Sequence, residues 1–165
     1  LGVLGIEVRT PEDLSRADGL IIPGGESTTV GMLLDRHGLG EQIRARAGEG
    51  MPVWGTCMGM ILMASEVEER PDQYTLGLLD ATVRRNAYGA QINSFEDSVE
   101  VAGIGSSVMG VFIRAPVVVR MGPSVEAIAH YEGQIVAVRS KALLATSFHP
   151  ELTEDTRFHE FFLSL

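Results

Sequence analysis

Cysteine is almost absent from this chain: one thiol in 165 residues, so no disulfide can form within it, and a reducing compartment is expected. Aromatic residues make up only 6%, and 13 Lys plus Arg stand against 22 Asp plus Glu, for a formal net charge of −9. With no dense basic run and few rings to stack on bases, a nucleic-acid partner is not expected. Long apolar segments and a secretory leader are also missing, so a soluble, cytoplasmic protein without membrane attachment is expected. His37, His130 and His159 have no metal-ligand spacing with one another or with Cys57, and no metal site is expected. Repeats and low-complexity linkers are lacking, and 45% hydrophobic content suits a single globular domain over residues 1–165.

What the chain does have is the lone cysteine in an informative place. Met51-Pro52-Val53-Trp54 reads as a short buried strand, and Met58 to Val67 as a helix, so Gly55-Thr56-Cys57-Met58-Gly59 is the sharp turn between them. A side chain at such a bend is thrust outward, while flanking glycines let the two arms pack closely. Amides at the helix start favour a thiolate there. A buried structural cysteine explains the pentapeptide equally well on its own.

Near the C-terminus, Ala142 to Phe148 reads as a core strand that delivers His149-Pro150-Glu151 at its end. In extended backbone, positions i and i+2 share a face, so Glu151 can reach the imidazole of His149, and Pro150 keeps His149 out of the helical region. A base needs a carboxylate that sets its tautomer and stabilises its charged form. Cys57, His149 and Glu151 thus supply a nucleophile, a base and an orienting acid.

A third strand, Gly19 to Ile22, empties into Pro23-Gly24-Gly25-Glu26-Ser27-Thr28-Thr29, where Ser27, Thr28 and Thr29 can each cap a following helix. Glycines after a strand can turn a backbone N–H toward a ligand, as an oxyanion hole requires. Neither G-x-x-x-x-G-K-[ST] nor G-x-G-x-x-G occurs, which argues against a nucleotide loop.

Strand-P-G-G-E-S, strand-G-T-C-M-G and strand-H-P-E, in this order, resemble the triad (class I) glutamine amidotransferases. Further segments, Arg85-Asn86-Ala87-Tyr88-Gly89, Ser94-Phe95-Glu96, Val111 to Pro116 and Ser147 to Thr153, extend the likeness over essentially the whole chain, to the glutaminase subunits of pyridoxal 5'-phosphate synthase. The resemblance implies hydrolysis of L-glutamine through a cysteine thioester, no cofactor of the subunit's own, and a synthase subunit as ammonia acceptor for pyridoxal 5'-phosphate (vitamin B6) synthesis. It implies that Gly24, Gly25, Glu26, Ser27, Arg85, Ile113 and Arg114 line the glutamine pocket. The backbone amides of Gly25 and Met58 are the implied oxyanion hole. A guanidinium suits the α-carboxylate of glutamine, although Arg84 and Arg85 also read as a solvated pair of which at least one faces water. Met58 departs from the alanine often found at its position.

Helices are expected around residues 29–47, 58–67 and 154–164, with residues 76–148 mostly strands, in an open three-layer α/β sandwich with a mostly parallel central sheet. Leu1 to Leu4 and Gly5 to Thr10 look like the family's first two strands, yet parallel neighbours need a crossover of roughly a dozen residues. A segment missing between Leu4 and Gly5 is therefore expected, one that the resemblance places beside the oxyanion hole and that would order on partner docking. The alternatives are the glutaminase of another amidotransferase, such as the histidine-pathway enzyme, a catalytically silent partner subunit, or a hydrolase or chaperone with a cysteine elbow.

Overall fold

A computed structural model describes residues 1–88 and 94–165. The helical layer begins with α1 (Pro11–Ser15), started by a capping box in which Thr10 and Asp13 bond each other's backbone amides, with Pro11 in the first turn. Then follow β1 (Leu20–Ile22), α2 (Ser27–Arg36) and α3 (Leu39–Gly48). The single helix expected over 29–47 is two, because Gly38 takes the left-handed conformation at φ 69° and breaks the run.

β2 (Val53–Thr56) leads into α4 (Met58–Met63), which stops at Met63 rather than at residue 67. Ala64 is already extended, and Ala64–Val67 forms β3. Every residue of α4 is buried, and an apolar run buried on all sides carries no period that separates helix from strand. The strand-rich half follows as expected: β4 (Leu79–Arg84), β5 (Phe95–Val99), β6 (Val108–Phe112), β7 (Val117–Met121), β8 (Glu126–Tyr131), β9 (Gln134–Ser140) and β10 (Leu143–Thr146). Glu132 and Gly133, at φ 47° and 76°, make the tight turn between β8 and β9. A 3-10 turn (Pro150–Leu152) and α5 (Arg157–Leu163) end the chain.

The eight-stranded sheet runs β1-β2-β10-β9-β7-β4-β3, with β8 also on β9, while β5 and β6 form a separate hairpin. It is a mixed sheet: β1, β2 and β10 are parallel to one another and β3 to β4, whereas β9 and β7 pair antiparallel to their neighbours. The parallel strands β1, β2 and β10 are those that carry the sequence motifs.

Alternate residues feed two cores. Val53, Val118 and Ala145 face the α1–α4 side, while Trp54, Val117 and Leu144 face α5 and the β5–β6 hairpin. Trp54 is wholly buried on that second side, stacked on Phe158 with ring centroids 5.8 Å apart. Helices on one face and α5 with the hairpin on the other make the layered α/β arrangement.

Residues 1–9 form no regular element, and Leu4 is 89% exposed, so the two strands expected there are not formed. Apolar residues do not make a strand unless a neighbouring edge accepts their backbone hydrogen bonds.

Candidate active site

Because β1, β2 and β10 are parallel neighbours, their carboxyl ends open on the same side of the sheet. β1 delivers Pro23-Gly24-Gly25 there, β2 delivers Cys57, and β10 delivers Ser147-Phe148-His149. The elbow is sharp: Cys57 sits at φ 51°, ψ −104°, outside the ordinary regions for a residue with a side chain. Its amide donates to the Thr146 carbonyl at 2.7 Å, tying the bend to β10. A Cβ at Gly59 would stand 2.0 Å from the Ile22 carbonyl oxygen, so the turn closes only with glycine there.

The Cys57 thiol is buried and donates to the Ile113 carbonyl at 3.4 Å. The same thiol acts on the His149 imidazole, whose backbone amide donates to the Val111 carbonyl at 2.9 Å. On the far side of the ring, Nδ1 lies 2.8 Å from Glu151 Oε1. That pairing does not come from extended backbone. Glu151 lies in the 3-10 turn opened by Pro150, and the turn folds its carboxylate back onto the imidazole. The Cys57 thiol first, and then Glu151, hold the His149 imidazole at about 9, above its ordinary 6.5, although burial works against them. Burial pushes the Glu151 carboxyl up, but its hydrogen bonds, that from His149 first, outweigh this and hold it below its ordinary value.

The glycine turn after β1 covers this assembly. A Cβ on Gly24 would fall 2.5 Å from His149 Cε1, and one on Gly25 would meet the Met58 side chain at 3.4 Å. The sequence thus brings Gly24, Gly25, Met58, Cys57, His149 and Ile113 to one place. Among the helix-cap candidates, Ser27, Thr28 and Thr29 give way to Glu26, whose two carboxylate oxygens accept from the amides of Thr28 at 3.0 Å and Thr29 at 2.7 Å. A longer side chain with two acceptors satisfies two free amides at once, and these bonds draw its carboxyl down to about 2. Ser27 is buried, and its hydroxyl has no partner among the described residues.

Arg84 and Arg85 separate as the solvated-pair reading allows: Arg84 pairs with Glu68 at the surface, while Arg85 is mostly covered. The Arg85 guanidinium donates to Gln73 Oε1 at 3.2 Å and stands 3.8 Å from Glu26. Arg114 has φ 51° and an exposed side chain, so Ile113 reaches the Cys57 thiol through its carbonyl while the Arg114 side chain stays in solvent. Gly89, in the Arg85-to-Gly89 segment, lies outside the described residues.

Two neighbours were not singled out by sequence. Gln73 sits in an irregular loop with no pattern to mark it, and Thr56 donates to Glu151 Oε1 at 3.0 Å from within the G-T-C-M-G motif itself. A recess of about 560 Å³ beside β8, lined in part by Glu100, Ser106, Ser107 and His130, shares no residue with the triad. Among the described residues no three His, Cys, Asp or Glu side chains are grouped to hold a metal, and no helix is long and apolar enough to cross a membrane.

The subunit PdxT of pyridoxal 5'-phosphate synthase from Herpetosiphon aurantiacus is 54% identical over 169 residues, covering 100% of this chain and 89% of that protein. The protein of the same name from Fervidobacterium nodosum is 48% identical over 165 residues, covering 100% of this chain and 86% of the other. A crystal structure titled as a glutamine amidotransferase superposes with a TM-score of 0.94 at 48% identity, covering 99% of this chain and 86% of that one. A family model matches residues 2–165, and the chain belongs to the SNO glutamine amidotransferase family.

Proposed function

We propose that this chain is a glutaminase that hydrolyses L-glutamine to L-glutamate and ammonia, with Cys57 as nucleophile, His149 as acid and base, and Glu151 as its orienting carboxylate. The observation that carries the reading is the His149–Glu151 pair delivered at the end of β10 beside the Cys57 elbow that ends its parallel neighbour β2.

The sulfur attacks the side-chain amide carbon of glutamine while the imidazole holds the thiol proton. The oxyanion is stabilised by the backbone amides of Gly25, in the turn after β1, and of Met58, the first residue of α4. The carbon–nitrogen bond breaks as His149 gives its proton to the leaving nitrogen, releasing ammonia and a thioester on Cys57. Water, losing a proton to His149, then adds to the thioester and frees glutamate and the thiol. Arg85 holds the α-carboxylate, with Gly24, Ser27 and the backbone of Ile113 and Arg114 around the rest of the substrate. Glu26 acts by fixing the start of α2 beside it.

Ammonia released into water near neutral pH is mostly protonated and lost as a nucleophile, so the product is useful only when passed directly to an acceptor. The full-length likeness to proteins named as pyridoxal 5'-phosphate synthase subunits supports a synthase subunit as that acceptor, in vitamin B6 biosynthesis. Ile113 and Leu152, next to Cys57 and Glu151, are exposed apolar residues that a docked partner would cover. We assign the protein to the cytoplasm, where a reactive thiol stays reduced.

The test is glutamate release from glutamine with and without the synthase subunit, using Cys57→Ala as control. Release that requires Cys57 and rises with the synthase supports both parts of the reading. Cys57-dependent release indifferent to the synthase keeps the glutaminase and removes the assigned acceptor. No release in either condition points to a silent subunit.

A further inference from the structure

Glu151 is weakly held by its own surroundings. It sits in a 3-10 turn of three residues, its side chain is 30% exposed, and the next residue, Leu152, is 58% exposed. A glutamate has three side-chain torsions to restrain, and a short surface turn restrains none of them. Two donors nevertheless converge on one of its oxygens. His149 Nδ1 reaches Oε1 at 2.8 Å, and the Thr56 hydroxyl donates to the same atom at 3.0 Å. Thr56 is the opposite of its acceptor in setting. It is 1% exposed, and it closes β2 in register with Thr146 of β10, inside the parallel ladder that carries both the nucleophile and the base.

We propose that Thr56 is a positioning residue for the reaction: its hydroxyl anchors the Glu151 carboxylate to the end of β2, so that the acid stays in line with His149 instead of turning to solvent. Thr56 lies immediately before the nucleophile yet acts at the far end of the triad. It makes the strand that presents the sulfur also hold the group that orients the base. The inference deepens the glutaminase reading and rests on it for its kinetic consequences, but not for its structural ones.

The titratable groups that face His149 are Cys57 from the β2–α4 elbow and Glu151 from the 3-10 turn; the Gly24 turn that covers the ring brings no charge. Freeing Glu151 therefore removes one of two supports for the imidazolium, and the His149 titration midpoint moves down. If Thr56 did no positioning, losing its hydroxyl would leave a carboxylate with one donor fewer and more charge for His149, and the midpoint would stay or rise. The direction of the shift separates the two.

The experiment compares Thr56→Val and Thr56→Ala, which lack the hydroxyl, with Thr56→Ser, which keeps it. The His149 ring carbon resonance is followed by NMR against pH, and glutamine hydrolysis is measured in parallel. Expected for both hydroxyl-free chains is a downward shift of about one pH unit, a kcat roughly 10-fold lower and a KM little changed, since Thr56 does not reach the pocket. Serine restores all three. A midpoint that stays or rises in folded valine and alanine variants overturns the proposal. So does a serine variant that behaves like valine, because packing of the methyl group would then be the role. Failure of both hydroxyl-free chains to fold would likewise make Thr56 a structural residue. The titration needs no glutamine: an unmodified protein without glutaminase activity counts against the proposed function, while the NMR shift still decides the role of Thr56.

Discussion

Gly24 and His149 are in contact across the mouth of the site, so close that a single added carbon on Gly24 would lie 2.5 Å from Cε1 of the imidazole. The glycine of the β1 turn therefore fixes which space the base can occupy. Gly24→Ala is expected to push the ring away from Cys57 and lower kcat by roughly 100-fold, because misplacement of a reacting group by about 1 Å costs on that order. The thermal unfolding midpoint of the variant, followed by circular dichroism, should fall as well, since the ring it meets is buried and paired with Glu151. Full activity in the alanine variant would show that the ring is placed otherwise.

His149 should titrate at about 9 rather than at 6.5. A histidine whose folded value lies above its unfolded one adds stability that is fully present below pH 6.5 and is lost as pH rises through 9. Its contribution to the urea midpoint therefore falls across that window. Cys57→Ala removes the larger of the two causes, and the NMR titration of His149 in that variant should shift downward.

Replacing Arg85 tests substrate recognition apart from chemistry. Arg85→Lys keeps the charge but loses the planar fork, and Arg85→Ala loses both. KM for glutamine is expected to rise in both, by roughly 100-fold in the alanine variant, with a smaller change in kcat. A kcat loss with KM unchanged would place Arg85 outside the carboxylate site.

Glu26→Ala leaves the Thr28 and Thr29 amides without their acceptor. Loss of such a cap costs about 1 kcal/mol, read as a lower urea midpoint. Glu26 has its folded value depressed to about 2 from 4.5, so its contribution is present above pH 4.5 and disappears as pH falls toward 2. The difference between the unmodified chain and the variant should therefore close in acid.

Much of this site was legible because chemistry and backbone coincide in its motifs. Gly55 to Gly59 needs glycine for the turn and cysteine for the reaction, and both requirements are visible in five letters. His149-Pro150-Glu151 disclosed its pairing but not its means, since a proline that excludes helix from His149 also opens a 3-10 turn after it. Met58 to Val67 was misread as one helix because its first six residues, Met58–Met63, are buried on all sides and have no polar face to set a period. Strand direction was the least accessible: β7 and β9 run antiparallel to their neighbours because of pairings across the sheet, which no local pattern encodes. The cap at Glu26 and the Gln73–Arg85 contact were hidden for a related reason, as each depends on where a long side chain lands.

The elbow and the histidine strand are bound to each other by the ladder between β2 and β10, closed at the reactive end by the amide of Cys57 on the carbonyl of Thr146. Cys57 and His149, the proposed nucleophile and base, thus ride on one hydrogen-bonded unit and have no separate hinge. Warming cannot pull them apart gradually; it can only melt the strands beneath them. Loss of catalysis on heating should accordingly coincide with loss of the sheet, leaving no temperature range in which the protein is folded but idle.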